Sequence, residues 1–315
     1  MIATALKTGI KGALIAMLKA LSRQHLFWIF KQSAMRLGVE AVEVPGQNGV
    51  LLAYVKDVGV LRSYLLDGRF FANAIDFIDG VFAGRPAGTY VDIGANIGAV
   101  VVPVAAHCPH VACYAFEPEP CNFRALTYNL ARNGVAARVT TYGVALAHGP
   151  GTVEFELDAE NFGDHRMRNA SGGATPALLG EGARTTIHVR TDSLDSLLAG
   201  VTVTHPVVVK LDVQGAEGLV FSGGASTLAA ADVLLLELWP YGMRRLGSDP
   251  ADFVASLFRH FPFAAELKDD VAVRPEDFVP TPTIVEGLQA FIARRDATNH
   301  VNLILSKHSG GAVPR

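Results

Sequence analysis

Cysteine is scarce in this 315-residue chain: there are three, all between positions 108 and 121. They are too few and too local for a disulfide framework, which points to a reducing compartment. Charge is also thin, at 18% of residues against 50% hydrophobic. The chain can therefore bury a large core, and intrinsic disorder is excluded as an overall description. No basic surplus exists, since the net charge is −3, so a dedicated duplex-DNA binder is disfavoured and no nucleic-acid partner is expected. Long apolar runs are missing too. The most apolar N-terminal stretch, Gly12 to Leu26, contains Lys19 and Arg23 and falls short of the ~18–20 uninterrupted residues of a membrane span. A secretory signal fits poorly, because Lys19 cuts the apolar region after Leu18 and no small-residue cleavage pattern follows. The expected location is cytoplasmic.

What is present begins with an asymmetric arm. Residues 1–38 carry Lys7, Lys11, Lys19, Arg23, Lys31 and Arg36, and no acid appears before Glu40. Removing those six from 27 basic residues leaves 21 against 30 acids, so residues 39–315 sum to −9. Leu6, Ile10, Leu14, Met17 and Leu21 recur at helical spacing. Two readings of this amphipathic arm stand: a helix packed on the rest of the chain or a dimer contact, and a basic helix in peripheral contact with the inner face of an anionic membrane.

Residues 39–88 form a second segment. Ala41–Val44 and Val50–Val55 read as strands around the turn Pro45–Gly49, and Leu61–Phe82 reads as one helical stretch ended by the breaker cluster Gly84–Gly88. From 89 to 315, short apolar runs alternate with helical patterns. Tyr90–Ile93, Val111–Phe116, Arg138–Val144, Val207–Leu211 and Val233–Leu238 are continuous rather than alternating, as in parallel strands buried on both faces. Thr152–Leu157 and Thr185–Val189 alternate around a glycine- and alanine-rich loop, Asn169–Gly182, expected to be mobile, and His300–Ser306 alternates as a terminal edge strand. The expected architecture is α/β: a Rossmann-like, mostly parallel sheet with helices on both faces, preceded by an N-terminal helix and β-hairpin.

The most informative segment is Tyr90-Val91-Asp92-Ile93-Gly94-Ala95-Asn96-Ile97-Gly98, an apolar strand running into a glycine turn and a helix. Such a turn lets backbone approach a cofactor closely at a helix start. Asn96 stands where a dinucleotide fingerprint has its middle glycine, and asparagine tolerates the left-handed conformation. Asp92 would repel a pyrophosphate and suits a cationic amino-acid group. The next strand ends at Glu117, placed to hydrogen-bond ribose hydroxyls. Lys210, Asp212, Glu217 and Glu237 fall at the carboxyl ends of later strands, where open parallel sheets bind ligands.

Taken together, Asp92-x-Gly94-Ala95-Asn96-x-Gly98, Phe116-Glu117-Pro118, Ser193-Leu194-Asp195, Lys210-x-Asp212-Val213-Gln214-Gly215-Ala216-Glu217 and Glu237 resemble the FkbM family of S-adenosylmethionine-dependent methyltransferases. The resemblance covers about residues 89–240. It implies a class I methyltransferase fold, a seven-stranded sheet whose antiparallel last strand would be His300–Ser306. It also implies that Gly94 and Gly98 frame the loop beside the methionine part of S-adenosylmethionine, that Asp92 holds its amino group, directly or through water, and that Glu117 holds the ribose. This sequence departs from the family twice. Gln214 stands where many members have glutamate, and Gly143-Val144-Ala145 offers no acid for the adenine amino group, leaving backbone or Asp164 for that role.

Methyl transfer needs in-line approach to the methyl carbon, so positioning carries much of the catalysis. If the acceptor is a hydroxyl of a sugar, glycolipid or natural product, as the family implies, its high pKa calls for a base or a metal. Asp212 is the expected base, Lys210 tunes it or orients the acceptor, and His165 is a second base candidate. A divalent metal on Asp212, Glu217 and Glu237 is an alternative, whereas His107, Cys108, His110 and Cys113 lack a zinc site's remaining ligand pair. Two further functional readings remain open: a nicotinamide-dependent oxidoreductase, disfavoured by Asp92 and the glycine spacing, and a cofactor-binding module without turnover.

Overall fold

The computed structural model describes residues 21–168, 184–268, 271–294 and 296–311. Most of the arm's apolar stripe and the loop Asn169–Gly182 lie outside them. The chain enters through α1 (Arg23–Arg36), capped by the Ser22 hydroxyl, which accepts from the His25 N–H. A hairpin of β1 (Ala41–Gly46) and β2 (Gly49–Tyr54) follows, with Gly46 paired to Gly49 across a two-residue turn. The expected single helix over 61–82 is two, α2 (Val60–Asp67) and α3 (Ala72–Phe82). Gly68 ends α2 in the left-handed conformation, and Phe71 at φ 51° turns the chain before α3. Apolar periodicity runs through this break, so the sequence pattern conceals it.

The βαβ series comes next: β3 (Gly88–Ile93), α4 (Val101–His107), β4 (Val111–Phe116), α5 (Pro120–Arg132) and β5 (Val139–Tyr142). An excursion then builds a separate four-stranded sheet from β6 (Ala145–Leu146), β7 (Gly151–Leu157), β8 (Arg166–Met167) and β9 (Thr185–Asp192), in the order β6-β9-β7-β8. The main sheet resumes with β10 (Val207–Leu211), α6 (Glu217–Gly223), α7 (Ala225–Ala230), β11 (Val233–Leu238), α8 (Pro240–Arg245) and α9 (Pro250–Phe258). It closes with β12 (Phe263–Glu266), β13 (Val279–Pro280), α10 (Val285–Ala293) and β14 (Val301–Ser306).

The main sheet has eight strands in the order β13-β12-β14-β11-β10-β3-β4-β5, one more than expected because β13 adds a two-residue edge. Strands β11 through β5 are mutually parallel. The last strand is antiparallel as expected, but it is not an edge: β14 pairs with β11 on one side and β12 on the other. Its Leu303, Ile304 and Leu305 are buried accordingly. Both faces of the sheet are covered. Val208, Val233 and Leu235 pack into one core with α3 and α4, while their alternating neighbours Val209, Leu211, Leu234 and Leu236 pack into the other with α9 and α10. That two-sided burial is why these strands read as unbroken apolar runs.

The hairpin is fastened to this body by polar side chains. Strand β2 has one free edge, and two asparagines complete it, Asn129 of α5 and Asn133 at its C-cap. Asn129 Oδ1 accepts from the Leu52 N–H at 2.7 Å and Nδ2 donates to the Leu52 and Ile97 carbonyls. Asn133 repeats the pattern on Val50, with both bonds at 2.8 Å. An i,i+4 helical spacing here matches an i,i+2 strand spacing. Because Asn129 is fully buried, Asn129→Ala strands buried backbone groups and is expected to cost about 3 kcal/mol. Urea unfolding measures this, and a loss below ~1 kcal/mol would show the clamp to be dispensable.

Candidate functional site

Strand order reverses between β3 and β10, since the chain adds β4 and β5 on one side and β10 and β11 on the other. Ligands bind outside the carboxyl ends of strands at such a switch point. There the loops after β3 and β10 come so close that a Cβ on Gly94 would lie 1.8 Å from the Asp212 carbonyl oxygen. With φ at +82°, Gly94 is required both by conformation and by space. A cavity of about 400 Å³ opens at this point.

Of the residues expected to bind the cofactor or act on the acceptor, seven line that cavity together: Gly94, Asn96, Glu117, Asp164, His165, Lys210 and Asp212, joined by Glu237 from the metal alternative. Two do not. Asp92 is fully buried beneath it, its Oδ1 3.4 Å from Lys210 Nζ, and neither of its oxygens makes a hydrogen bond. It can act on a cavity ligand only through Lys210 or the Gly94 carbonyl, which accepts from Lys210 Nζ at 3.2 Å. Gly98 serves packing instead: at φ +87°, a Cβ there would lie 2.8 Å from Leu126 of α5.

Glu117 is held by backbone. Its Oε2 accepts from the Asn96 N–H and its Oε1 from the Glu119 N–H, both at 2.9 Å. Burial pushes its pKa up to about 8, although the two N–H bonds and Lys210 pull the other way. Each oxygen has lone-pair capacity left, so the carboxylate fits two adjacent hydroxyls of a ribose. Asn96 sits at φ 51° as its type allows, and its Oδ1 accepts from the Ile97 N–H.

The roof comes from the segment between β7 and β8. Asp164 is engaged by arginines at both oxygens, Arg166 at 3.0 Å and Arg184. His165 Nδ1 accepts from the Asp158 N–H at 3.0 Å, which assigns the remaining proton to Nε2. Burial lowers its pKa. A neutral ring with Nδ1 occupied and Nε2 protonated is a donor, so the structure corrects the reading of His165 as a second base.

At the floor, Lys210 Nζ lies 3.4 Å from Asp212 Oδ2 as well as from Asp92. Burial alone would lower its pKa, but Asp212 and Asp92 outweigh that and hold it above the ordinary lysine value. Glu217 turns away from the ligand set proposed for a metal: its Oε1 accepts from the N–H groups of Val213 and Gly215. Among the described residues, no group of three His, Cys, Asp or Glu is arranged to hold a metal ion. Asp195, another resemblance residue, ties the Ser226 and Thr227 N–H groups and is structural.

Several lining residues escaped the sequence reading. Trp239 stacks over the buried Arg166 guanidinium at 5.1 Å and donates from Nε1 to the Ala297 carbonyl. Phe70, Phe71, Asn122 and Phe162 also line the cavity. A tryptophan two residues after an acid at a strand end, in Glu237-Leu238-Trp239, was the one available signal.

The Methyltransferase FkbM domain family matches residues 92–259, more than half of the chain. Hexuronic acid methyltransferase AglP of Haloferax volcanii is 30% identical over 191 residues, 60% of this chain and 67% of that protein. The 31-O-demethyl-FK506 methyltransferase FkbM of Streptomyces tacrolimicus is 31% identical over 125 residues, 38% of this chain and 44% of that protein. The solved O-methyltransferase TomG of Streptomyces achromogenes, in complex with SAM, superposes with a TM-score of 0.41 at 12% identity, covering 78% of this chain and 86% of that one.

Burial also pushes the Glu217 pKa up, to about 7. With folded pKa values above their unfolded ones, Glu117 and Glu217 keep protons that the unfolded chain has released, so stability falls as pH rises through that window. His165, with its lowered pKa, acts oppositely only below about pH 6.5. The ligand-free chain is therefore expected to lose thermal stability from about pH 6.5 to about pH 8, less steeply in Glu117→Gln. Scanning fluorimetry across that interval checks the sign, and a rising Tm would contradict it.

Proposed function

The chain belongs to the FkbM methyltransferase family, and from that premise we propose that it methylates a hydroxyl group of a sugar or sugar-bearing small molecule. It is an enzyme, a methyltransferase, and S-adenosylmethionine is its cofactor. The observation that carries the proposal is that one cavity is lined by two sets of residues: Glu117 and Asn96 with the Asn161–His165 roof, and Lys210, Asp212, Gln214 and Glu237 with Trp239. We assign the first set to the cofactor half and the second to the acceptor half.

In this reading Glu117 accepts from the ribose hydroxyls, Gly94 and Asn96 present backbone to the methionine part, and Asp92 acts from below through Lys210. When bound, the cofactor supplies an electrophilic methyl group on a sulfonium. The acceptor hydroxyl sits over the ends of β10 and β11, where the carboxylates offer a destination for the proton. A relative named for hexuronic acid and one named for 31-O-demethyl-FK506 support a hydroxyl-bearing or sugar-like acceptor.

Glu117→Ala is expected to weaken S-adenosylhomocysteine binding by about 10–100-fold, while Asp212→Ala spares binding and cuts turnover. Calorimetry with S-adenosylhomocysteine, S-adenosylmethionine and NAD, alongside radiolabelled methyl transfer to a sugar panel, tests both. Binding of NAD alone would overturn the assignment.

We further propose that the N-terminal region makes peripheral contact with anionic lipid. Among the described residues no helix is long and apolar enough to cross a membrane. Helix α1 leaves Trp28 and Ile29 each 43% exposed, and Leu37 just beyond it is 81% exposed, next to Arg36 in a region without acids. Exposed aromatic and aliphatic side chains beside cations suit a lipid interface. Flotation with phosphatidylglycerol vesicles should retain the full chain and lose most of it on Trp28→Ser/Ile29→Ser. Equal partitioning of both proteins would dismiss the contact.

A further inference from the structure

We propose that Glu237 is the catalytic residue that takes the proton of the acceptor hydroxyl, and that Gln214 is the positioning residue that holds it ready. This rests on the reading of the site as a hydroxyl methyltransferase, and it decides between the two carboxylates that face the acceptor half of the cavity.

The geometry separates them. Asp212 is paired with Lys210 at 3.4 Å and also accepts from Gln214 Nε2 at 2.9 Å. Its charge is compensated by neighbours on two sides. Glu237 accepts from the same Gln214 amide at 2.9 Å, and among the described residues it forms no ion pair. One amide group thus donates to two carboxylates, which spends both of its N–H bonds and fixes the two acids relative to each other. Glu237 keeps lone pairs free in a cavity it lines.

The backbone at Gln214 is built for this bridge. Its φ is 53°, a left-handed conformation uncommon for a side chain other than glycine, asparagine or aspartate. Gly215 follows at φ 102° against Gly242, where a Cβ would lie 2.6 Å from the Gly242 carbonyl carbon. Such strain persists where the surroundings over-determine it, as at functional sites. The charged groups around Glu237 are Lys210 from β10, Asp212 from the loop after it and Glu217 at the start of α6, while β14 places uncharged Asn302 opposite it. Burial first, then Asp212 and Glu217, raise its pKa well above the ordinary glutamate value, against smaller pulls from Lys210 and the Gln214 amide. A carboxylate of raised pKa is the better proton acceptor once ionised.

The step balances without another reagent. The acceptor oxygen exchanges its O–H bond for the new O–C bond, and Glu237 takes the proton. The electron pair of the broken C–S bond stays on sulfur, leaving a neutral thioether, and the proton later passes from Glu237 to solvent. Glutamate at position 214 would set a third carboxylate between two others with no added cation, so Gln214 is the residue that lets Asp212 and Glu237 approach one another.

The test uses the full chain saturated with S-adenosylhomocysteine and labelled at glutamate Cδ, titrated by carbon NMR. Glu237→Gln identifies the resonance. It is expected to titrate above the usual carboxylate range and to move higher still in Gln214→Glu. In methyl transfer to a panel of monosaccharides and methyl uronides, kcat should rise with pH through that ionisation. Glu237→Gln should lower kcat by about 10²–10⁴-fold with cofactor affinity unchanged, Glu237→Asp should recover part, and Gln214→Glu should shift the ascending limb to higher pH. The proposal is overturned if Glu237→Gln keeps kcat within about threefold, if the ascending limb vanishes in Asp212→Asn but survives in Glu237→Gln, or if the Glu237 signal titrates as an ordinary glutamate. If wild-type protein binds the cofactor yet methylates no sugar, the acceptor reading fails, while the NMR titration still decides the ionisation of Glu237.

Discussion

One buried ammonium organises the centre of this molecule. Lys210 occupies the last turn of a strand whose neighbours are valine and leucine, and its side chain is only 7% exposed. A charge in that position is tolerable only if it is paired and hydrogen-bonded. Three groups meet the requirement: the Gly94 carbonyl at 3.2 Å and the carboxylates of Asp92 and Asp212 at 3.4 Å. The first two belong to β3 and the turn after it, and the third to the loop after β10, so a single cation ties together the two sides of the switch point. Removing it would leave Asp92 as an uncompensated buried charge. The turn that makes the tight Gly94–Asp212 approach also carries Asn96, whose N–H donates to Glu117, and all four residues line the cavity.

The N-terminal extension takes part in this site. The Asn129 and Asn133 clamp fixes the hairpin, and the segment after the hairpin reaches the roof. Asp57 Oδ1 accepts from the Gly59 N–H at 2.9 Å and the Phe162 N–H at 3.3 Å, while the Val58 N–H donates to the Glu160 carbonyl at 2.7 Å. Tyr54 packs its ring on Phe162 with centroids 5.3 Å apart. Helix α1 adds Lys31, buried, with its ammonium 5.1 Å over Trp28 and 3.6 Å from Glu160. The roof is thus held from outside the βαβ body, and Phe70 and Phe71, from the turn between α2 and α3, complete the wall. A chain of polar contacts runs from α1 to Phe162 in the cavity wall.

The strands of the main sheet were legible because two-sided burial writes itself as continuous apolar runs. Val207–Leu211 and Val233–Leu238 are found with the expected ends. Glu117 was legible because an acid closing an apolar strand is costly unless it is used. What escaped the sequence was set by contacts distant along the chain. The break between α2 and α3 depends on Phe71 adopting a conformation its type disfavours, and no periodicity reports that. Asp92 and Gly98 read as ligand contacts from the motif alone, yet depth places one under Lys210 and packing claims the other for Leu126. The tautomer of His165 depends on a backbone N–H seven residues away. The interior position of β14 depends on β12 returning to its far side, which a strand's own alternation does not encode.

Four carboxylates, Asp92, Glu117, Glu217 and Glu237, are gathered at one end of the sheet and largely shielded from water, with a single buried lysine among them. Their different partners are what make the cluster tenable. Asp92 takes the lysine; Glu117 and Glu217 each take a pair of backbone N–H groups. Glu237 receives only a neutral amide, and that amide is shared with Asp212. Backbone donors and amides satisfy hydrogen bonds without cancelling charge, so burial continues to penalise ionisation where they alone are present. The acids of this site thereby differ in partner type: Asp92 has an ammonium at 3.4 Å, although burial still raises its pKa, and Glu237 in β11 has only the shared amide. On the proposed reading, a site that takes a cationic cofactor and then a proton is served by that difference: an acid with an ammonium beside it beneath, and one acid facing the cavity without one.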